Sequence, residues 1–85
     1  MSDLRSSLRG ALVGHFGIDE STLADDTGLF SDGLLDSLSV MELVEFVESK
    51  SGLQIPPEDI VLENFDTVEG IVGYIERLKA NRASP

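Results

Sequence analysis

The chain has 85 residues, 41% of them hydrophobic, a formal net charge of −10 and no cysteine. That length points to one small domain with little room for a deep enzyme cleft, and the missing thiols exclude disulfides, thiolate metal sites and a cysteine nucleophile. The six basic residues are Arg5, Arg9, Lys50, Arg77, Lys79 and Arg82, so residues 10–49 hold nine acids and no Lys or Arg, a surface that repels nucleic acid and attracts a basic protein partner.

In chain order, Ser2 or Asp3 can cap a first helix whose apolar residues Leu4, Leu8, Leu12 and Phe16 recur at i+4, with Gly17 as its stop. The N-terminal stretch has no continuous apolar run, and no segment approaches the ~18 apolar residues of a membrane span, so the expected compartment is the cytoplasm. From Ile18 to Leu35 the chain is rich in Asp, Ser, Thr and Gly, a long connection that Leu23, Leu29, Phe30 and Leu34 are expected to tie to the core. A second helix is predicted from about Ser37 to Ser51, with Asp36 as N-cap and Gly52 as C-terminal stop. Leu53 to Pro57 reads as extended, because each proline biases the residue before it away from the α region, and Glu58–Val61 reads as one helical turn. Asp66-Thr67-Val68-Glu69 reads as a capping box with Asp66 as the cap. It opens a helix with apolar Val68, Ile71, Val72, Ile75 and Leu78. Residues 80–85 are expected to fray, leaving a folded core of about 3–79 in a single domain spanning 1–85. The fold class is therefore all-α, a small three-to-four-helix bundle with a long loop between its first and second helices.

On a helical wheel, Val40, Leu43, Val44 and Val47 share an arc of about 100°, wide enough to face a core. Glu42, Glu45 and Glu48 occupy the opposite arc, with Leu38 and Met41 set among them. Two readings of that face stay open. It is a solvated surface with two scattered apolar residues, or it is a docking face in which Leu38 and Met41 anchor a basic partner that the carboxylates steer. Ser37 is equally ambiguous. Serine at a helix start is commonly a cap, yet with Asp36 as cap its hydroxyl is left near the positive end of the helix dipole, a favourable place for a phosphate ester.

The segment Asp32-Gly33-Leu34-Leu35-Asp36-Ser37-Leu38, followed by Met41-Glu42-Leu43-Val44, Ile55-Pro56 and Phe65-Asp66-Thr67-Val68, resembles the acyl carrier protein family, the carrier domains with a phosphopantetheine attachment site. The likeness runs from Leu4 to Leu78. It implies that Ser37 receives 4′-phosphopantetheine from coenzyme A by the action of a phosphopantetheinyl transferase, and that the arm carries acyl or aminoacyl groups as thioesters to a downstream synthase or transferase. The carrier itself is then no enzyme and a monomer. The likeness also implies that Asp36, Leu38, Met41, Glu42 and Glu48 are partner-docking positions, and Glu45, on the same acidic face of the wheel, is expected to join them. Leu35, Ser39 and Glu45 depart from the fatty-acid type, and the Gly-Leu-Leu-Asp-Ser form with a later Phe-Asp-Thr is similar to free-standing carriers loaded by an adenylating acyl or aminoacyl ligase, such as D-alanyl carriers and those of specialised biosynthesis.

Other chemistries fit less well. Asp26 and Asp32 both fail as the start of a calcium-binding EF-hand loop on spacing, and no Gly-rich loop ends in Lys-Ser or Lys-Thr. A hydrolase triad of Ser37, His15 and an Asp lacks any motif. The alternative that remains is an unmodified acidic helical adaptor that binds a basic protein through the same face.

Overall fold

The computed structural model describes residues 2–83, with side chains from Leu4 to Asn81. Among the described residues, four α-helices, α1 (Ser2–Gly14), α2 (Ser39–Ser51), α3 (Leu62–Phe65) and α4 (Val68–Ala83), and a single 3-10 turn at Pro57–Asp59 make up the regular structure. This is the expected all-α bundle, with residues 15–38 as the long first connection. α1 packs against both α2 and α4, and the short α3 packs against α4.

The apolar periodicities converge on one core. Leu8 and Leu12 of α1, Leu43, Val44 and Val47 of α2, and Val68, Ile71, Val72 and Ile75 of α4 are all buried. The long connection contributes Ile18, Leu23, Leu29 and Leu35 to the same cluster, with Phe30 and Leu34 packed at its margin. Burial of that many aliphatic side chains, each worth about 1.5–3 kcal/mol of transfer free energy, is what holds so irregular a segment in place. Arg9 adds polar ties, reaching Asp25 at 3.0 Å and the Leu23 carbonyl at 2.9 Å, while Arg5 also bonds Asp25.

Helix ends follow elementary backbone chemistry, with informative departures from expectation. Gly52 adopts φ 74°, the left-handed conformation that only glycine takes cheaply, and its N–H closes α2 on the Glu48 carbonyl. α2 becomes regular at Ser39 rather than Ser37, yet Asp36 still caps it: its Oδ1 accepts the Ser39 N–H at 3.0 Å. The capping box at α4 is corrected. Thr67, not Asp66, is the cap, its Oγ1 accepting the Gly70 N–H at 2.8 Å, whereas the Glu69 N–H bonds the Asp25 carbonyl. The turn expected at Glu58–Val61 is displaced into two pieces, Pro57–Asp59 and Leu62–Phe65, because Pro57 starts a turn one residue earlier and Ile60, with ψ 77°, breaks it. α4 continues through Ala83, beyond the start of the tail expected to fray; Ser84 and Pro85, and the Ser2 and Asp3 side chains proposed as caps, lie outside the described residues.

Candidate functional site

Ser37 sits in the turn that leads into α2, and its side chain is exposed. Asp36 and Ser39, on either side, are occupied with each other: the Ser39 hydroxyl and N–H both donate to Asp36 Oδ1 at 3.0 Å. Among the described residues no hydrogen bond engages the Ser37 hydroxyl. Capping is therefore done by Asp36, and Ser37 stands at the positive end of the α2 dipole with a free nucleophilic oxygen. That resolves one of the two readings left open by the sequence: Ser37 is not the cap.

A groove of about 310 Å³ begins at Ser37 and is lined by Phe30, Leu35, Val40, Ile60, Val61, Leu62 and Phe65. It draws on three separate segments: the end of the long connection, the first turn of α2, and the Ile60–Phe65 region. None of its lining side chains is charged. The floor is well anchored, since Phe65 and Leu35 are buried, while Val61 and Leu62 on the rim are 44% and 55% exposed.

Asp66 explains how two of these segments are held together. Its Oδ1 accepts the N–H groups of Phe30 at 2.8 Å and Ser31 at 2.9 Å, its Oδ2 accepts the Ser31 hydroxyl at 2.7 Å, and its carbonyl accepts the Leu29 N–H. Partial burial works to raise the Asp66 pKa, but the hydrogen bonds from Ser31 and Phe30 outweigh it and leave the carboxyl below its ordinary value. Gly28 permits this approach: a Cβ there would collide with the Ser31 hydroxyl that reaches Asp66.

The expected docking residues divide into two groups. Leu38 is 82% exposed and Met41 55%, and Glu45 is exposed as well, so bare apolar side chains and an acid occur together at the start of α2. Glu42 is also exposed and pairs with His15 Nε2 at 2.9 Å. Glu48 is different, because its carboxylate turns inward to accept the buried Ile55 N–H at 2.8 Å and so secures the extended strand of chain after α2. Asp36 is exposed but committed to Ser39. His15, engaged by Glu42 and stacked edge-on to Phe16 with centroids 4.9 Å apart, makes no bond to Ser37 among the described residues, so no triad is assembled. No group of three or more His, Asp or Glu among the described residues could hold a metal ion, and no described helix is long and apolar enough to cross a membrane.

Residues 6–75 match the model of the family described as the phosphopantetheine attachment site. An acyl carrier protein of Zymomonas mobilis is 31% identical over 80 residues, 94% of this chain and 100% of the relative. A D-alanyl carrier protein of Enterococcus faecalis is 36% identical over 63 residues, 74% of this chain and 81% of the relative. A lincomycin biosynthesis protein, LmbN, of Streptomyces lincolnensis is 43% identical over 60 residues, which cover 71% of this chain and 22% of that longer protein.

Proposed function

This chain belongs to the carrier-protein family with the phosphopantetheine attachment site, and from that premise we propose that Ser37 is its attachment residue, loaded with acyl or aminoacyl groups by an adenylating ligase. The chain is a carrier, not an enzyme, and 4′-phosphopantetheine is its cofactor. When attached, the arm supplies a terminal thiol that holds the carried group as a thioester on a long tether, raising its effective concentration at partner active sites.

The observation that carries the assignment to Ser37 is its unbonded, exposed hydroxyl at the amino end of α2, beside a groove free of charged side chains. The residues fit the group. Asp36 is tied back to Ser39, the helix dipole favours the phosphodiester, and the apolar lining of Phe30, Val40, Ile60 and Leu62 can cover an apolar cargo. An ammonium group would find no charged partner there, so the groove suits an acyl tail better than a free amino group.

The same face proposes how partners bind. Leu38 and Met41 supply apolar contact within reach of Ser37, and Glu42 and Glu45 steer basic surfaces of the phosphopantetheinyl transferase, the ligase and a downstream synthase or transferase. Glu48 is better read as a structural residue, since its acceptor oxygen serves Ile55.

The test is direct. Incubation with coenzyme A and a broad-specificity phosphopantetheinyl transferase is expected to add one arm to the intact protein and none to Ser37→Ala. A folded protein that takes up no arm would overturn the assignment and leave the adaptor reading in its place.

A further inference from the structure

One wall of the groove is a bridge of chain, residues 57–66, tied down at its two ends by different means. At one end Asp66 grips Leu29, Phe30 and Ser31. At the other, the hydroxyl of Tyr74 in α4 donates to Asp59 Oδ2 at 2.6 Å, and the Asn64 side-chain amide donates to the Asp59 carbonyl at 2.9 Å. Between the ties lie Ile60, Val61 and Leu62, which line the groove, the last two with much of their surface in solvent. Tyr74 is buried, and its ring lies 5.7 Å from that of Phe65, the floor of the same groove.

We propose that the Tyr74–Asp59 hydrogen bond is a latch on this wall, and that Tyr74 is a positioning residue that limits the size of the apolar group the groove accepts. The inference rests on the reading of Ser37 as the attachment residue and of the groove as the shelter for its cargo. Tyr74 is a fixed post, because its ring cannot leave the core without abandoning Phe65 and opening a cavity. Asp59 is the movable partner. It rides on a three-residue 3-10 turn whose other ties are all local, the Asp59 N–H to the Pro56 carbonyl, the Ile60 N–H to the Pro57 carbonyl, and the Val61 N–H and Asn64 side-chain amide to the Asp59 carbonyl, so its side chain reaches the rest of the fold through Tyr74. An O–H donated to a carboxylate in a half-buried setting is among the stronger ties available to such a turn. With the latch made, Ile60 and Val61 stay over the groove and a short chain fills it. A longer chain needs them to swing outward, which strains the Asp59 contact first, since the Asp66 end has three side-chain bonds to break.

Tyr74→Phe keeps the ring and removes the hydroxyl that donates to Asp59, and Asp59→Asn weakens the acceptor from the other side. Amide hydrogen exchange of the unloaded protein is the first readout. In both variants the Ile60, Val61, Asn64 and Phe65 amides should exchange about tenfold faster, the order of effect of one hydrogen bond to a charged group, while α1 and α2 amides stay unchanged. The second readout loads each protein with a butyryl or a dodecanoyl arm and follows hydroxylamine cleavage by intact mass. The wild type should protect butyryl better than dodecanoyl, and the variants should narrow that difference by about fivefold, the order of effect of one net hydrogen bond. Unchanged exchange in both variants overturns the latch. Faster exchange with an unaltered chain-length profile overturns its role in cargo size. A wild type that protects neither group defeats the groove reading itself, and the inference with it, while failure of Ser37 to accept an arm defeats the attachment reading at an earlier step.

Discussion

Asp66 offers the sharpest test of how the site is assembled, because one carboxylate joins the long connection to the segment that walls the groove. Asp66→Ala deletes the acceptor for the Phe30 N–H, the Ser31 N–H and the Ser31 hydroxyl. Hydrogen bonds to a charged group contribute about 1.5–3 kcal/mol each when shielded, but Ser31 is exposed and water replaces part of what is lost, so the sum is set at about 2–3 kcal/mol. For a domain this small that corresponds to a drop in Tm of about 10–20 °C. Asp66→Asn keeps an oxygen for the backbone donors and loses the charge, at a cost of about 1 kcal/mol. The charge term carries a pH signature of known sign. Because the hydrogen bonds hold the folded-state pKa of Asp66 below the ordinary 3.8, its contribution is complete above that value and is lost as pH falls through the folded value. Urea titrations of wild type and Asp66→Asn at stepped pH should therefore show a constant difference at neutral pH that shrinks below about pH 4. A difference that stays the same into the acid range, or an Asp66→Ala Tm within about 2 °C of wild type, refutes the clamp.

The remaining expectations follow from where each side chain sits. Glu45→Lys should change stability by less than about 0.5 kcal/mol while weakening transferase binding in a salt-dependent way; binding that ignores both charge and salt would remove the steering role. Glu48→Ala should do the reverse, costing about 1–2 kcal/mol in thermal or urea unfolding by orphaning the buried Ile55 N–H, with little effect on transferase affinity. Ile71→Ala empties a fully buried site between the helices and should cost about 2–5 kcal/mol in urea unfolding; an unchanged midpoint would show that the α4 face is misassigned.

Much of this architecture is visible in the amino-acid order, and the reasons are local. Each apolar series marks a buried face at its centre and reaches the margin at its ends: Leu8 and Leu12 are buried with Leu4 and Phe16 partly exposed, Leu43, Val44 and Val47 are buried with Val40 partly exposed, and Val68, Ile71, Val72 and Ile75 are buried with Leu78 partly exposed. Gly52 works as a stop because its conformation depends only on its own backbone. Polar side chains were legible only where the partner is near in sequence, as with Asp36 and Ser39. Asp66 looked like the cap of its own helix, but the neighbouring Thr67 satisfies that helix and frees Asp66 for donors 35 and 36 residues away. Glu48 looked like one more surface acid in a row with Glu42 and Glu45, and nothing nearby marks the return of Ile55 beneath it. The groove combines residues from Phe30 to Phe65, and Tyr74 reaches it through Asp59, so neither leaves a periodic trace. Helical pattern reports faces; it does not report which distant chain segment a polar group on that face will meet.

In the proposed assignment Ser37, rather than another hydroxyl of the same turn, bears the phosphopantetheine arm. Ser39 is the control that the structure supplies, since it lies two residues away at the same helix end with its hydroxyl already bonded to Asp36. Fragment-ion mapping of the modified peptide after treatment with coenzyme A and a transferase should place the added mass on Ser37 alone. Mass on Ser39 or Ser31, or an undiminished gain in Ser37→Ala, would contradict the assignment.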